Sequence, residues 1–462
     1  MSPTPAFSPE SLIDLRSRFN RRVLGPGDAG YDEARTVVTG GFDGRPAVIV
    51  RAGDADDVAQ VIALARQTGL ELAVRSGGHS GAGHSTTDGG ILLDLRDLSS
   101  FEIDTAGRTA WAGAGITAAE YTVAAAEHGL ATGFGDTGSV GVGGLTLGGG
   151  VGLLARKHGL TIDSLLAAEI VTADGELLRV DETSHPDLFW AIRGGGGNFG
   201  VAVRFQFALH TLDGVVGGLL VLLATAQTLA GFVAAAAAAP EELTTIANVM
   251  NCPPMPFVAA EHHGSLVIMA VICYAGAEAD GLHALQPFCD LAEPLANLVH
   301  AMPYPDIYPP EDPDYHPTAA SRNMFLSSIG LPEAAVIIEH LAASDASLRA
   351  AQVRVLGGAV ARVPADATAY AHRTSPIMVN LAAFYDAPAD REVRGAWVEE
   401  FARALNQGDD GVYVNFLAEE GPERIRAAYP KSTWDRLAAT KARYDPTNLF
   451  RKNQNIPPTV SS

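Results

Sequence analysis

Two glycine-rich runs constrain the fold of this 462-residue chain more than any other feature of its sequence. The first reads SGGHSGAGHS from Ser76 to Ser85, and the second reads GSVGVGGLTLGGGVG from Gly138 to Gly152. Glycines at strand ends let backbone N–H groups turn toward one point and let a ligand approach without a Cβ in the way. Each run alone is equally compatible with a set of turns. Two of them in one chain favour a cofactor that has a pyrophosphate and a large ring.

Neither run matches the two commonest nucleotide-binding motifs. A dinucleotide fingerprint needs a strict G-x-G-x-x-G that opens a helix, with an acidic residue at the proper distance beyond it. Neither run has this arrangement, and the chain contains no Walker loop. The sequence therefore disfavours a nicotinamide enzyme and an NTPase.

Composition and charge narrow the class of protein. Hydrophobic residues make up 47% of the chain and charged residues 18%, which is typical of a globular protein with a substantial core. The length suggests two or three packing units. A formal net charge of -21 repels phosphate backbones and anionic lipids, so we expect neither nucleic-acid nor membrane-surface binding.

Cysteine usage and the N-terminus favour a cytoplasmic protein. Cys252, Cys273 and Cys289 are an odd number without metal-ligand spacing, which favours reduced, packed thiols over a disulfide framework. The first twenty residues contain neither an apolar segment nor a small-residue cleavage site, so no signal peptide is predicted.

One long uncharged stretch, from Gly214 to Pro240, resembles a membrane span in length. However, Thr225, Gln227 and Thr228 interrupt it, alanine is abundant, and no Lys or Arg cluster flanks it. We predict a buried strand followed by an alanine-rich packing helix.

His79 and His84 lie five residues apart in the first run, which raises the question of a metal site. No third or fourth ligand lies nearby in the sequence, and the spacing is not that of a zinc protease helix. No metal is expected. An isolated histidine is usually structural, so a role for His79 depends on its neighbours.

Those neighbours carry a family resemblance. VRSGGHSGAG followed by GGILLDL resembles the FAD-attachment segment of the vanillyl-alcohol oxidase and p-cresol methylhydroxylase superfamily, and within it the berberine-bridge-type oxidases, bacterial members in particular. Four further segments continue the resemblance in the same order along the chain: VGVGGLTLGGGVGLLARKHGLTIDSL, HPDLFWAIRGGGGNFGV, YVNF and YDPTNLFRKNQNIPP.

The resemblance implies an α+β fold with a two-part FAD-binding domain of the p-cresol methylhydroxylase type. Its first part is expected at residues 1–207 and its C-terminal part at residues 411–462. A substrate-binding domain is expected between them, at residues 208–410, as an antiparallel sheet backed by helices. The composition of the chain also changes after about His210.

The resemblance implies specific roles around the first run. His79 matches the histidine that is joined through a ring nitrogen to the 8α-methyl group of the flavin. Arg75, Ser76, Gly77, Gly78 and Ser80 match the loop whose amides cradle the pyrophosphate. His84 matches no attachment position and is expected to form local hydrogen bonds. Further cofactor contacts are implied at Thr137, Gly138, Val140, Gly141, Gly143, Gly144, Thr146, Gly148, Gly149, Gly200, Val201, Tyr413, Asn415 and Asn453.

Two residues of the second run bear on the cofactor's chemistry. Some family members form a second bond from a cysteine to flavin C6, and Thr137 stands at that place. Because threonine cannot form the thioether, one covalent link is expected. Val140 stands at the family's oxygen-access position, where a small residue accompanies reaction with O2. The resemblance therefore implies an oxidase that makes hydrogen peroxide.

The catalytic base is the point at which the chain departs from many relatives. Alcohol- and phenol-oxidising members have YxNY, and the second tyrosine removes a substrate proton, whereas Phe416 stands there in this chain. A phenyl ring cannot accept a proton. Tyr413 and Asn415 are the candidates near the flavin edge, although each is also compatible with a core polar group. Otherwise another residue acts, or the substrate needs little help from a base. Residues expected to line the substrate pocket are Tyr304, His372, Tyr385 and Phe416.

The expected reaction is hydride transfer from a small organic substrate to flavin N5, followed by reoxidation with O2. An amine or N-heterocycle is favoured, because an amine lone pair assists hydride departure. The alternatives are oxidation of a sugar or secondary alcohol, oxidative tailoring of a natural product, a dehydrogenase with another electron acceptor, and a flavin-binding protein without turnover. The sequence leaves open a monomer or a homodimer.

Overall fold

The computed structural model describes residues 9–19 and 22–459. The part of the chain up to Thr211 contains short strands and helices in alternation. Its strands are β1 (Val23–Leu24), β2 (Val48–Arg51), β3 (Leu72–Arg75), β4 (Ile91–Asp94), β5 (Phe101–Asp104), β6 (Thr109–Gly113), β7 (Leu130–Ala131), β8 (Leu165–Val171), β9 (Leu177–Asp181), β10 (Val201–Ala208) and β11 (His210–Thr211). Its helices are α1 (Pro9–Arg18), α2 (Tyr31–Arg35), α3 (Ala55–Thr68), α4 (Ala118–Ala126), α5 (Val142–Gly148), α6 (Ala155–His158) and α7 (Pro186–Ile192).

The first run of glycines begins where a parallel strand ends. A four-stranded sheet has the order β1-β2-β4-β3, in which β3 and β2 both run parallel to β4. Helix α3 is N-capped by Asp54, whose side chain accepts from the Asp57 N–H, and it ends at the left-handed Gly69. The buried apolar face of α3 packs in the core under this sheet, as its amphipathic sequence predicts.

The second run lies beside an antiparallel sheet with the order β5-β6-β10-β8-β9. The antiparallel strands β8 and β9 are joined by a turn at Asp174–Gly175, as this dipeptide sequence favours. Residues 142–148 of the second run form α5, and Gly141 is its N-cap. The first run therefore follows directly on the end of β3, and the second run contains the start of α5.

The middle of the chain forms one large antiparallel sheet covered by helices. Its strands are β12 (Val215–Leu223), β13 (Leu243–Asn251), β14 (Leu266–Tyr274), β15 (Ala296–Asn297), β16 (His300–Met302), β17 (Ala319–Leu326), β18 (Arg349–Val355) and β19 (Ile377–Phe384). Its helices are α8 (Ala226–Ala238), α9 (Glu278–Cys289), α10 (Leu331–Ala343), α11 (Ala359–Arg362) and α12 (Arg391–Leu405). The order is β15-β12-β14-β13-β18-β19-β17, and β16 also pairs with β12. The expected α+β fold with an antiparallel sheet backed by helices is confirmed.

The two faces of this sheet have different partners. Phe232, Ile337 and Phe401 of the helices pack with Val353 on one face. The opposite face packs on the first part of the chain. There, Ile246 belongs to a cluster that also contains the buried Leu153 and Leu154, which directly follow the second glycine run. The stretch from 214 to 240 is the predicted strand and helix, β12 and α8. Over the residues that the structure describes, no helix has the length and apolarity needed to cross a membrane.

The C-terminal segment returns to the core of the first part. It contains α13 (Pro422–Ala427) and α14 (Lys431–Tyr444). Val412, Phe450 and Ile456 are buried in the same hydrophobic cluster as the four-stranded and five-stranded sheets. The domain boundaries at residues 207 and 410 stay a prediction.

The C-terminal segment GVYVNFLA departs from the strand that its apolar and β-branched residues predict. It forms a single 3₁₀ turn at Val414–Phe416 instead. The Tyr413 N–H donates to the side chain of Asn323, at 2.7 Å, rather than to a neighbouring strand. The apolar and β-branched residues fit the pattern of a strand. However, the Asn323 side chain of the middle sheet accepts the backbone hydrogen bond that a neighbouring strand would otherwise accept.

Candidate functional site

A cavity of about 410 Å³ brings distant parts of the chain together. Its walls come from both glycine runs, from a third glycine segment at 196–200, and from the C-terminal segments 413–417 and 450–454. We call the wall formed by residues 76–80 and 140–144 the glycine side. Sequence-predicted site residues that line the cavity are Ser76, Gly77, Gly78, His79, Ser80, Thr137, Val140, Gly141, Gly143, Gly144, Gly200, Val201, Tyr413, Asn415, Phe416 and Asn453.

The glycine side is made by backbone packed directly on backbone. A Cβ added at Gly77 would lie 2.2 Å from the Gly141 nitrogen, and one added at Gly141 would lie 2.0 Å from Ser76 Oγ. No side chain fits at either position. Gly78 has a φ of 82°, in the left-handed region that favours glycine. The two runs therefore need these glycines to meet and to expose backbone groups at the cavity.

Arg75 lies beneath this wall rather than in it. Its Nη2 is 2.7 Å from Asp94 Oδ2, and both side chains are buried at the ends of β3 and β4. Its Nη1 also donates to the Thr36 carbonyl, at 3.1 Å. The paired and hydrogen-bonded guanidinium fixes the point at which the first run leaves the sheet.

Four other predicted contacts, Gly138, Thr146, Gly148 and Gly149, do not line the cavity. They hold α5 and its ends against neighbouring segments. A Cβ at Gly148 would lie 1.9 Å from Asn415 Oδ1, so glycine there lets the C-terminal segment approach. Gly148 therefore helps to position Asn415, which lines the cavity.

His79 has one defined hydrogen-bond partner. Its Nε2 lies 2.8 Å from Ser139 Oγ, and Ser139 Oγ in turn contacts Glu311 Oε2. The Ser139 N–H donates to Glu311 Oε1, at 2.8 Å. Burial lowers the pKa of His79, and this effect is opposed by the charge of Glu311 and by the backbone of Ser139. A lowered pKa keeps the imidazole neutral at pH 7.

Tyr413 and Asn415 form a hydrogen-bond cluster with the second run and with α5. The Tyr413 hydroxyl accepts from the Gly150 N–H at 2.9 Å and from Asn415 Nδ2 at 2.9 Å. Asn415 Nδ2 also donates to the Leu145 carbonyl, at 3.0 Å. Burial raises the pKa of Tyr413, and these hydrogen bonds oppose the rise. A phenol with a raised pKa keeps its proton at neutral pH, so Tyr413 is poorly suited to take up a substrate proton.

A charged pair lies beside Phe416. Arg354 of β18 is buried, its Nη2 lies 2.6 Å from Asp136 Oδ2, and its guanidinium carbon lies 5.3 Å from the centre of the Phe416 ring. Asp136 lines the cavity. We call Asp136, Arg354, Tyr413 and Phe416 the Phe416 corner.

Sequence reasoning missed Asp136 and Arg354. Asp136 directly precedes Thr137 in the sequence, and a charged residue beside the second run was the available signal. Arg354 lies in the alternating sequence AAQVRV of β18. A charged residue at a core-facing position of such a strand was the signal that could have identified it. The sequence did not reveal which face of the strand is covered.

Two further polar residues, Lys452 and His84, line the cavity. Lys452 lines the cavity, and its Nζ lies 3.6 Å from Glu71 Oε2. His84 also lines it, and burial together with the charge of Lys452 lowers the pKa of His84 to about 4. His84 is therefore neutral at pH 7.

Three residues predicted for the substrate pocket lie outside the lining of this cavity. Tyr304 is buried in the cluster that joins the middle sheet to the first part. His372 Nε2 is 2.9 Å from the Ala428 carbonyl, and its ring stacks on Phe325. Tyr385 continues the end of β19, where its N–H donates to the Thr318 carbonyl at 3.0 Å. Of the four pocket candidates, Phe416 lines the cavity.

Comparison with known protein families gives the class of protein. Residues 46–181 match the family described as FAD binding domain, and residues 412–457 match the family described as Berberine and berberine like. The first match contains both glycine runs, and the second contains the C-terminal segments of the cavity. The fold and the cavity are those of an FAD-binding oxidoreductase.

Individual relatives cover nearly the whole chain. The (R)-6-hydroxynicotine oxidase of Paenarthrobacter nicotinovorans is 30% identical over 461 residues, which are 95% of this chain and 97% of that protein. The crystal structure of 6-hydroxy-D-nicotine oxidase from Arthrobacter nicotinovorans matches with a TM-score of 0.83 at 28% identity, over 95% of this chain and 98% of that one. The xylooligosaccharide oxidase of Myceliophthora thermophila C1 has the same fold, with a TM-score of 0.83 at 23% identity, over 97% of this chain and 100% of that one. The chain belongs to the berberine-bridge-type family of FAD-linked oxidoreductases, as its motifs predict.

Proposed function

We propose that this protein is an FAD-dependent oxidase that removes a hydride from a small organic substrate and passes the electrons to O2, giving hydrogen peroxide. The observation that carries the proposal is the meeting of His79, both glycine runs and the C-terminal segment around one cavity. The family relationship supports the cofactor, and the residues of the Phe416 corner support the choice among substrates.

The residues of the cavity fit FAD. The contact between Gly77 and Gly141 leaves no room for side chains, so backbone groups form the glycine side, as the binding of a pyrophosphate requires. Lys452 places a positive charge in the cavity. Leu72, Val74 and Leu95 add an apolar surface of the kind that an aromatic ring system covers.

Within this proposal, His79 is the residue that holds the flavin covalently. It lines the cavity with a neutral imidazole, which is the form that can bond to carbon. Thr137 lines the same cavity and has no thiol, which supports one covalent link. Val140 also lines it and would leave O2 access to the reduced cofactor.

An amine or N-heterocycle is the favoured substrate. When bound, the flavin supplies a two-electron acceptor at N5. Phe416 cannot take a proton, and the raised pKa of Tyr413 keeps its hydroxyl protonated at neutral pH. An amine lone pair assists hydride departure without a strong base. Sugar or alcohol oxidation and natural-product tailoring are the alternatives within this reaction class.

The first test asks where the flavin is. Acid-denatured, washed protein is examined for yellow colour, and the tryptic peptide that carries the flavin is identified by mass spectrometry. Flavin on the peptide that contains His79 supports the proposal. Colourless protein with FAD in the supernatant contradicts the covalent link, and the absence of flavin from both fractions contradicts the proposed function.

The second test asks which electron acceptor and substrate are used. Amines, N-heterocycles, secondary alcohols and oligosaccharides are screened with an oxygen electrode, and peroxide is measured in the same vessel. One peroxide per O2 consumed supports an oxidase. Substrate-dependent reduction of the flavin that air does not reverse would favour a dehydrogenase with another acceptor. The cytoplasmic location and the choice between monomer and homodimer stay predictions.

A further inference from the structure

We infer that Glu311, acting through Ser139, fixes the tautomer of His79 so that Nδ1 is the atom that bonds to the flavin. The inference rests on the proposed function, because it concerns how the proposed cofactor is attached. It makes Glu311 a positioning residue, contributed by the middle part of the chain to a site on the glycine side.

The contacts form a continuous line from a carboxylate to the imidazole. Glu311 accepts from the Ser139 N–H at 2.8 Å with one oxygen and contacts Ser139 Oγ with the other. Ser139 Oγ then lies 2.8 Å from His79 Nε2. The side-chain hydrogen bond of His79 is therefore made by Nε2, and the His79 side chain lines the cavity.

The direction of each hydrogen bond follows from the donors available. Glu311 is exposed to solvent, and the oxygens of a carboxylate can only accept. The single hydroxyl hydrogen of Ser139 is therefore donated to Glu311. Ser139 Oγ can then only accept from His79 Nε2, which must carry the ring proton. A neutral imidazole that is protonated on Nε2 has its lone pair on Nδ1.

The reverse direction is unfavourable. If Ser139 donated its hydrogen to His79 Nε2, the oxygen lone pairs of Ser139 Oγ and Glu311 would face each other. Two acceptors without a hydrogen between them repel. The carboxylate therefore selects one tautomer out of two.

The attachment step balances with O2 as the oxidant. A bond forms between Nδ1 and the 8α carbon while one C–H bond of the methyl group breaks. Two electrons enter the flavin and then reduce O2. The reduced O2 takes up two protons, one from the methyl group and one from Nε2, and leaves as hydrogen peroxide. Ser139 and Glu311 lie where they can take up the Nε2 proton, since that proton must leave for the alkylated ring to be neutral.

Glu311 reaches this site from a different part of the chain. It belongs to the proline-rich segment PPEDPDYHP at 309–317, between β16 and β17 of the middle sheet. A Cβ at Gly138 would lie 3.4 Å from Glu311 Oε1, so a glycine beside Ser139 lets the carboxylate approach. Attachment of the cofactor therefore depends on the middle part being docked on the first part.

The test compares Glu311→Gln, Ser139→Ala and a control, Asp314→Asn. Asp314 is an exposed carboxylate in the same segment, and within the described ranges its side chain forms no hydrogen bond or ion pair. Each purified protein is incubated with FAD in air. The flavin that stays with the acid-precipitated protein is measured over time, and NMR of the flavin peptide shows which nitrogen is bonded.

The variants differ in a way that a merely structural role does not predict. Glutamine at 311 can donate to Ser139 Oγ, which turns the serine hydrogen toward Nε2 and moves the ring proton to Nδ1, so we expect attachment to slow about tenfold. Alanine at 139 leaves both tautomers populated, so the expected loss is smaller, about threefold. Asp314→Asn attaches flavin at the wild-type rate. Glu311→Asp, which keeps the charge, restores part of the rate.

Several results would overturn the inference. They are an unchanged rate in Glu311→Gln, a larger loss in Ser139→Ala than in Glu311→Gln, and a wild-type bond through Nε2. Wild-type protein that holds FAD only reversibly overturns the inference and leaves FAD binding intact. Wild-type protein that binds no FAD overturns the proposed function as well.

Discussion

The glycine side and the Phe416 corner face the same cavity, yet they are built differently. The glycine side consists of backbone from two runs that the sequence makes conspicuous, and its closest contacts join Gly77 to Gly141. The Phe416 corner consists of side chains, and its ion pair joins Asp136 to Arg354, which are 218 positions apart. Under the proposed function, the glycine side binds the pyrophosphate through backbone geometry. The Phe416 corner then sets specificity through the placement of its side chains.

The largest expected effect tests whether the glycine side tolerates a side chain. Gly141→Ala places a Cβ 2.0 Å from Ser76 Oγ and 2.2 Å from the Gly77 nitrogen. We expect the free energy of unfolding, measured by urea denaturation, to fall by about 3 kcal/mol because the backbones must separate. Gly144→Ala is the matched control, since a Cβ there meets nothing within 4 Å. Equal losses in the two variants would mean that the runs are not held by direct contact.

The next effect tests whether the Phe416 corner is held by its ion pair. Asp136→Asn leaves the buried Arg354 guanidinium without a charged partner, and Asp136 has a side chain that is 28% exposed. We therefore expect a loss of about 2 kcal/mol, less than for a fully buried pair. The double variant with Arg354→Met should lose less than the sum of the single variants. Additive losses would show that the two side chains act independently.

A smaller effect tests a side chain within the glycine side. Val140→Leu enlarges a residue that lines the cavity. If O2 reaches the reduced cofactor past this position, reoxidation should slow by about tenfold, or about 1.4 kcal/mol in activation free energy, with no change in flavin reduction. Stopped-flow measurements separate the two half-reactions, and Val140→Ala should keep reoxidation fast. Parallel slowing of both half-reactions would indicate a distorted cavity instead.

The smallest effect concerns pH. The pKa of His84 falls to about 4 in the folded chain, so the unfolded chain binds its proton more readily between pH 6.5 and pH 4. The contribution of neutral His84 to stability is therefore present above pH 6.5 and is lost as the pH falls toward 4. Between pH 7 and pH 5.5 this loss amounts to about 1 kcal/mol.

His84→Asn should remove that part of the acid dependence, as measured by urea denaturation at each pH. The exposed His128→Asn variant serves as its control and should leave the dependence unchanged. An unchanged slope in His84→Asn would place the titrating group elsewhere. Together with the glycine variants, the result compares two contributions to the free energy of unfolding. One is that of a neutral polar group, and the other is that of backbone contacts within the glycine side.

The site was predictable from the sequence where it is made of local backbone. The first run places Ser76, Gly77, Gly78, His79 and Ser80 in order after one strand, so one motif accounts for a whole wall. Tyr413 and Asn415 were predicted near the cavity and lie there, but their strand was wrong because Asn323 replaces a ladder partner. Tyr304, His372 and Tyr385 were chosen by residue type, and residue type does not say which side of a sheet a side chain occupies.

The sequence alone determined the family, the mixed fold, the two glycine runs and the candidate attachment residue, since each depends on residues that are close in the chain. Only the tertiary structure decided that Arg354 pairs with Asp136 beside Phe416 and that Glu311 reaches Ser139 behind His79. These contacts depend on strand register and on the docking of the middle sheet on the first part. Local conformational preferences act over a few residues, whereas the position of a side chain 172 residues away, as for Ser139 and Glu311, is set by the packing of the whole chain.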